Sequence, residues 1–190
     1  MKNSLEIYAR SSKSYWMEVE MNYLILALRL IHIIGGVFWV GSSVMFKFYI
    51  SPTIAATADS GQKFMAHLVT KTRLTSAITG SAILTVLAGA ALYWIDSQGL
   101  TSLWQSSGPG LGFGLGALFA LVGLVFGMMV GRNVGILGRL ASQVQGKPTN
   151  EQMSRIQSAQ KQLGYAAPVS TLFLILALGC MATARYWLFK

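Results

Sequence analysis

The sequence predicts an all-α protein, a four-helix transmembrane bundle, on three observations. The 190-residue chain is 53% hydrophobic and 11% charged, with mean hydropathy +0.52, whereas a soluble domain carries about a quarter charged residues. Four apolar stretches, residues 23–50, 72–95, 112–134 and 163–189, are each near or above the ~20 residues that cross a hydrocarbon core. The 15 Lys and Arg against 6 Asp and Glu, a net charge of +9, lie mostly between those stretches. The positive-inside effect accounts for that distribution. No basic stripe with interleaved aromatics is present, so a nucleic-acid partner is not expected.

Residues 1–22 read as a polar tail and 23–190 as one membrane domain. The opening MKNSLEIYARSSKSYWMEVE lacks the continuous apolar core and small-residue cleavage site of a signal peptide. It reads as a surface segment with Tyr15-Trp16 at the membrane interface, and Met17 and Met21 stand as alternative starts.

The first span, YLILALRLIHIIGGVFWVGSSVMFKFYI, is interrupted by Arg29 and His32 and then by Gly35-Gly36. At helical spacing Arg29, His32, Gly36, Trp39 and Ser43 share one face. Ionisable groups at membrane depth are costly, face bundle interiors and often mark function. Ser51-Pro52 reads as the end of this span and Asp59-Ser60-Gly61-Gln62 as the cap of a new helix running into the second. The later connection repeats the arrangement. Lys147-Pro148 precedes Thr149-Asn150-Glu151-Gln152, which fits a capping box and opens a helix that continues into the fourth span. Both halves end in Tyr-Trp, at Tyr93-Trp94 and Tyr186-Trp187, which is compatible with a two-plus-two parallel repeat.

The third span, expected to continue as a helix towards Gln145, carries Gly123, Gly127, Gly131 and Gly135 every four residues, extended by Gly112, Gly116 and Ala120. Small residues at this spacing let helices approach closely. Packing inside the bundle is the favoured reading, and contact with other membrane subunits or a homo-oligomer the alternative.

Orientation follows from basic residues near the spans. The first connection has Lys47, Lys63, Lys71 and Arg73, and the third has Arg132, Arg139, Lys147, Arg155 and Lys161. The middle one, Asp96 to Leu111, has none. The basic connections are therefore expected in the cytoplasm and both termini outside. Tyr93-Trp94, Trp104 and Tyr186-Trp187 fall at the outer boundary as interface anchors, while Trp39 lies within the membrane against a neighbouring helix.

No enzyme constellation emerges. The membrane interior holds no carboxylate, no serine has a histidine and acidic partner, and GPGLGFGLG at 108–116 lacks the strand and Lys-Ser/Thr of a phosphate loop. His32 is the candidate site. Counting from span centres puts Leu87, Ala117 and Met181 at its level, with Cys180 beside Met181. A His/Met pair ligates haem, and His, Met and Cys suit Cu(I). The plainer and favoured alternative is a neutral imidazole hydrogen-bonded to a backbone carbonyl or hydroxyl on another helix. His67 is roughly 30 Å of helix away from that level, which disfavours a bis-histidine haem. It reads as part of a wet face with Lys63 and Lys71. Arg29 and Arg185 fall at matching depths near the outer face. They read as snorkelling cations, with the alternative of flanking an anion or haem propionate. Cys180 is the single cysteine, so no disulfide forms within the chain, and it reads as a small packing residue.

LRLIHIIGGVFWVG at 28–41, followed by a proline-containing stretch and a basic-led second span, resembles the CopD-like membrane proteins, the copper-resistance protein D group and its small bacterial relatives. The resemblance implies a bacterial inner-membrane helical bundle concerned with copper passage, with His32 the position that carries over as a ligand. Four spans are fewer than the full copper-resistance protein has, and no Met-rich or His-rich external segment is present. The expectation is a non-enzymatic structural or accessory membrane subunit. The alternative is a copper or haem b protein centred on His32, serving metal transport or electron transfer, with a small-solute transporter third.

Overall fold

The computed structural model describes the backbone of residues 2–143 and 147–188 and the side chains of 17–143 and 147–188. Among these residues there is no strand. Four helical stretches are long and apolar enough to cross a membrane: Met17–Ala56, Leu74–Asp96, Gly108–Gln143 and Asn150–Tyr186. The all-α four-helix bundle is thus the observed fold of a multi-pass membrane protein. Helices suit such a medium because every backbone N–H and C=O must find its partner inside the segment.

Helix α1 (Lys2–Met45) is already helical through the expected polar tail and runs unbroken into the first span. The side chains of Tyr15 and Trp16, expected at the interface, lie outside the described residues. Pro52 does not end this span. The chain widens into a π turn over Phe46–Ile50 and continues as α2 (Ser51–Ala56), with the proline in its first turn. A proline ring clashes with the carbonyl four residues before it, and a wider turn just upstream relieves that clash.

Helix α3 (Ala58–Lys71) starts after Thr57, not at the Asp59 cap expected from sequence; Asp59 sits in the first turn, on the side of the helix dipole that favours a carboxylate. Nor does α3 run into the second span. Thr72 is extended, its hydroxyl accepts the Leu74 amide at 3.2 Å, and α4 (Leu74–Asp96) begins afresh. A β-branched residue with a competing hydroxyl is a natural place for that break. In the second half continuity holds. After the short α5 (Ser102–Gln105), α6 (Gly108–Gln143) continues past the third span as expected, Gln145 itself lying outside the described residues, and α7 (Asn150–Thr183) is unbroken. Its capping box is complete, with Gln152 N–H donating to Thr149 Oγ1 at 3.2 Å and the Thr149 amide to Gln152 Oε1 at 2.9 Å.

The helices pair as two hairpins, α1 with α4 and α6 with α7, the second being the more extensively packed. A thinner seam joins them, where Trp39 (4% exposed), Ala82 and Leu174 (1%) form the buried cluster, flanked by Val40, Ile78, Val86 and Leu124. Trp39 thus packs within the bundle, as its position in the span predicts. Leu24, Leu30, Ile34 and Val37 stay exposed on α1. Apolar surface on that scale is unsuited to water and fits contact with the lipid bilayer.

Glycine sets the α6–α7 approach. A methyl on Gly112 would stand 2.7 Å from Ala184 Cβ and 2.8 Å from its Cα, and one on Gly123 would stand 2.8 Å from Leu174 Cδ2. At Gly41 of α1, by contrast, nothing lies within 4 Å. Gly112→Ala should therefore lower thermal stability in detergent by about 1–3 kcal/mol through overpacking. Gly41→Ala should be neutral or stabilise by up to about 1 kcal/mol. Equal melting temperatures for the two variants would contradict this account of the seam.

Candidate functional site

His32 reaches α4. Its Nδ1 lies 2.8 Å from the carbonyl oxygen of Thr85. A carbonyl only accepts, so Nδ1 carries the proton and donates. The local reason is Gly89, which stands four residues after Thr85 and would otherwise cover that carbonyl. A methyl there would lie 2.7 Å from His32 Cε1 and 2.8 Å from Nδ1. One turn further along α1, Gly35 makes room for Thr85 itself, whose hydroxyl would be 2.6 Å from a methyl at that position. Thr85 is 7% exposed, and its hydroxyl oxygen is buried without a hydrogen-bond partner. Leaving such a group unpaired costs about 1–3 kcal/mol, so the seam's favourable polar contact is the one His32 makes.

Thr85 and Gly89 bracket Leu87, the residue expected at the level of His32 on the second span. Leu87 itself faces outward at 63% exposure. The missed signal was Ser81, Thr85 and Gly89 at four-residue spacing, the same small-residue rule that drew attention to the third span.

Met181 and Cys180 sit elsewhere in the packing. Gly116 of α6 faces them, with a methyl there 2.7 Å from Met181 Cγ and 3.4 Å from Cys180 Cβ. His32 therefore packs in the α1–α4 seam and the two sulfur residues in the α6–α7 seam. Among the described residues no group of three or more His, Cys, Asp or Glu is arranged to hold a metal ion. His32 has a ligand-ready feature all the same. With Nδ1–H held by a carbonyl, the lone pair of the neutral ring is on Nε2, the tautomer that metal-binding histidines adopt.

Arg29 and Arg185, paired by depth in the sequence, do meet around one space. They line a cavity of about 410 Å³ together with Asp96, Trp104, Pro109 and Phe113, at the end of the bundle that carries the short loop. Tyr93 braces it, stacking edge-on against Trp104 with ring centroids 5.0 Å apart. Both arginines are exposed. Among the described residues the one ion pair is Arg155–Glu151 on the surface of α7, so Asp96 bridges neither arginine. Two cations and one anion around a cavity can receive an anionic group. His67 is exposed along with Lys63 and Lys71, as a wet face requires.

Other polar side chains also tie helices together. Ser170 Oγ donates to the Gly123 carbonyl at 2.8 Å, and Asn133 Nδ2 donates to Gln162 Oε1 at 3.0 Å. Thr171 Oγ1 makes a longer 3.5 Å contact to the Ser43 carbonyl.

The His32–Gly89 contact makes a coupled prediction. His32→Ala should lower stability by about 0.6 kcal/mol, the average for intramembrane hydrogen bonds, and by no more than about 1.7 kcal/mol. Gly89→Ala should also destabilise, by displacing the ring. The double variant should be more stable than the sum of the two single losses implies, because no ring remains to clash. Additive losses in a thermal-unfolding cycle would mean the ring does not rest on Gly89.

Comparisons with protein-family models, with curated proteins and with solved structures found no match for this chain.

Proposed function

We propose that this chain is a non-enzymatic integral membrane protein acting as a structural or accessory subunit of a bacterial inner-membrane complex. The observation that supports this reading is the use made of the polar groups that face other helices. His32 with Thr85, Ser170 with Gly123 and Asn133 with Gln162 each join two helices. Groups spent on helix contacts serve assembly rather than a reacting centre. Purification from native membranes in a mild detergent should yield an assembly with a defined ratio of this chain to other membrane subunits. Recovery as a lone monomer would reject the accessory role.

A second reading, a copper or haem b protein centred on His32, is favoured by the Nδ1–H contact to Thr85, which leaves Nε2 as the basic nitrogen. Arg29 and Arg185 would then hold a propionate or another anion at the cavity they line. The CopD-like resemblance would make copper the cargo. Visible spectra of the oxidised and dithionite-reduced protein, together with metal analysis, separate the readings. A Soret band or stoichiometric copper that is lost in His32→Ala favours the binder. A featureless spectrum with no bound copper leaves the accessory subunit.

The proposed orientation places the basic connections in the cytoplasm. In a Cys180→Ser background, Lys147→Cys should react with an impermeant maleimide only after the membrane is opened. Labelling of intact cells would invert the topology.

A further inference from the structure

At the end of the bundle opposite the short loop, one face of α6 stands open over two turns. Gly131 and Gly135 have nothing within 4 Å of where a methyl would stand. On the same helix Gly123 is closed by Leu174, and a methyl on Gly138 would lie 3.1 Å from Val69 Cγ1. The result is a groove of about 490 Å³ floored by Gly131 and Gly135, with Val69, Thr70 and Thr75 on its far wall and Arg132 and Arg139 at its rim.

We infer that this groove binds one anionic phospholipid, its phosphate over the notch at Gly135 between Arg132 and Arg139 and its acyl chain leaving past Gly131 along the apolar span. The two arginines are seven residues apart, so they share a helix face about 10 Å from each other along the axis. Gly135 lies between them on that face and leaves a notch where a side chain would otherwise stand. No carboxylate lines the groove, and both arginines are exposed. The one ion pair among the described residues lies elsewhere, on α7. Thr75 belongs to the first turn of α4, so the positive end of that helix dipole borders the same space. The apolar run of the third span ends beside Arg132, which sets the guanidinium groups and the notch at Gly135 at headgroup level and Gly131 at the edge of the hydrocarbon.

Charge and apolarity in that order match a phospholipid. A free anion would gain nothing from the apolar floor, and a second helix seated there would have to bury two unpaired cations at high cost. Basic pockets between membrane helices take anionic headgroups on this principle. The inference requires only membrane placement; it stands apart from both the accessory and the metal readings.

Native mass spectrometry of the full chain in detergent, titrated with phosphatidylglycerol and with phosphatidylcholine of the same chains, tests it. One phosphatidylglycerol should be retained in preference to phosphatidylcholine. Retention should weaken roughly fivefold for each of Arg132→Gln and Arg139→Gln, and should be lost in Gly135→Leu, which fills the notch. Arg155→Gln, which removes an equal charge outside the groove, should change nothing. Because Gly135 touches no neighbour, Gly135→Leu should melt like the parent, and the melt is run alongside. Equal retention of both lipids, equal weakening by Arg155→Gln, or undiminished binding in Gly135→Leu would each overturn the inference. So would competition by inorganic phosphate alone, which would indicate a free-anion site, or a dimer that Gly135→Leu dissociates, which would place a second copy in the groove.

Discussion

Close approach of helix backbones is the constraint on which the rest of this structure depends. In hydrocarbon there is no hydrophobic drive between helices, because lipid tails are as apolar as leucine; dispersion at short range and occasional polar contacts must hold the bundle together. Two seams supply this. Gly35 and Gly89 bring α1 and α4 near enough for an imidazole to reach a main-chain carbonyl, and Gly112, Gly116 and Gly123 do the same for α6 against α7. The buried side chains are correspondingly small, with alanine the commonest among the buried hydrophobics. Large residues such as Leu87 and Val37 are turned outward instead, the reverse of the order in a water-soluble core.

Charge is confined to the two ends, and each end has a cavity rimmed by a pair of arginines. At the short-loop end Arg29 and Arg185 come from different helices and share their space with Asp96. At the other end Arg132 and Arg139 come from one helix and face no carboxylate across the groove. The first arrangement depends on the two hairpins being docked, since it draws on α1 and on the turn that follows α7. The second depends on α3 and α4 standing against α6, and so records the same docking from the opposite end.

Much of this was legible in the residues. Length and apolarity determine the four spans, and Thr149 and Gln152 announce their capping box because the contact is local. Arg29 and Arg185 could be paired by counting from span ends, since rise per residue is constant in a helix. What resisted reading was rotation about the helix axis. Nothing local says whether Thr85 or Leu87 faces His32, because both are uncharged and tolerated at that depth; the choice is made by Gly89 opposite the ring. Pro52 and Thr72 misled in opposite directions for a related reason. A proline reads as a stop, yet a π turn accommodates it, while α3 ends at a threonine whose hydroxyl accepts the Leu74 amide at the start of the next helix. The four-residue glycine repeat of the third span marks one helix face, yet neighbours close it at Gly123 and Gly127 and leave Gly131 and Gly135 open.

The division into two hairpins also bears on how the protein is made. Each helix has its main partner next to it along the chain, so the α1–α4 seam can close while α6 is still being synthesised. Chains that fold in such successive local units expose their unpaired surfaces for less time than those whose first segment must wait for the last. For a ribosome feeding a membrane, that order lets His32 meet its carbonyl early and leaves the docking of the halves, around Trp39, as the closing event of assembly.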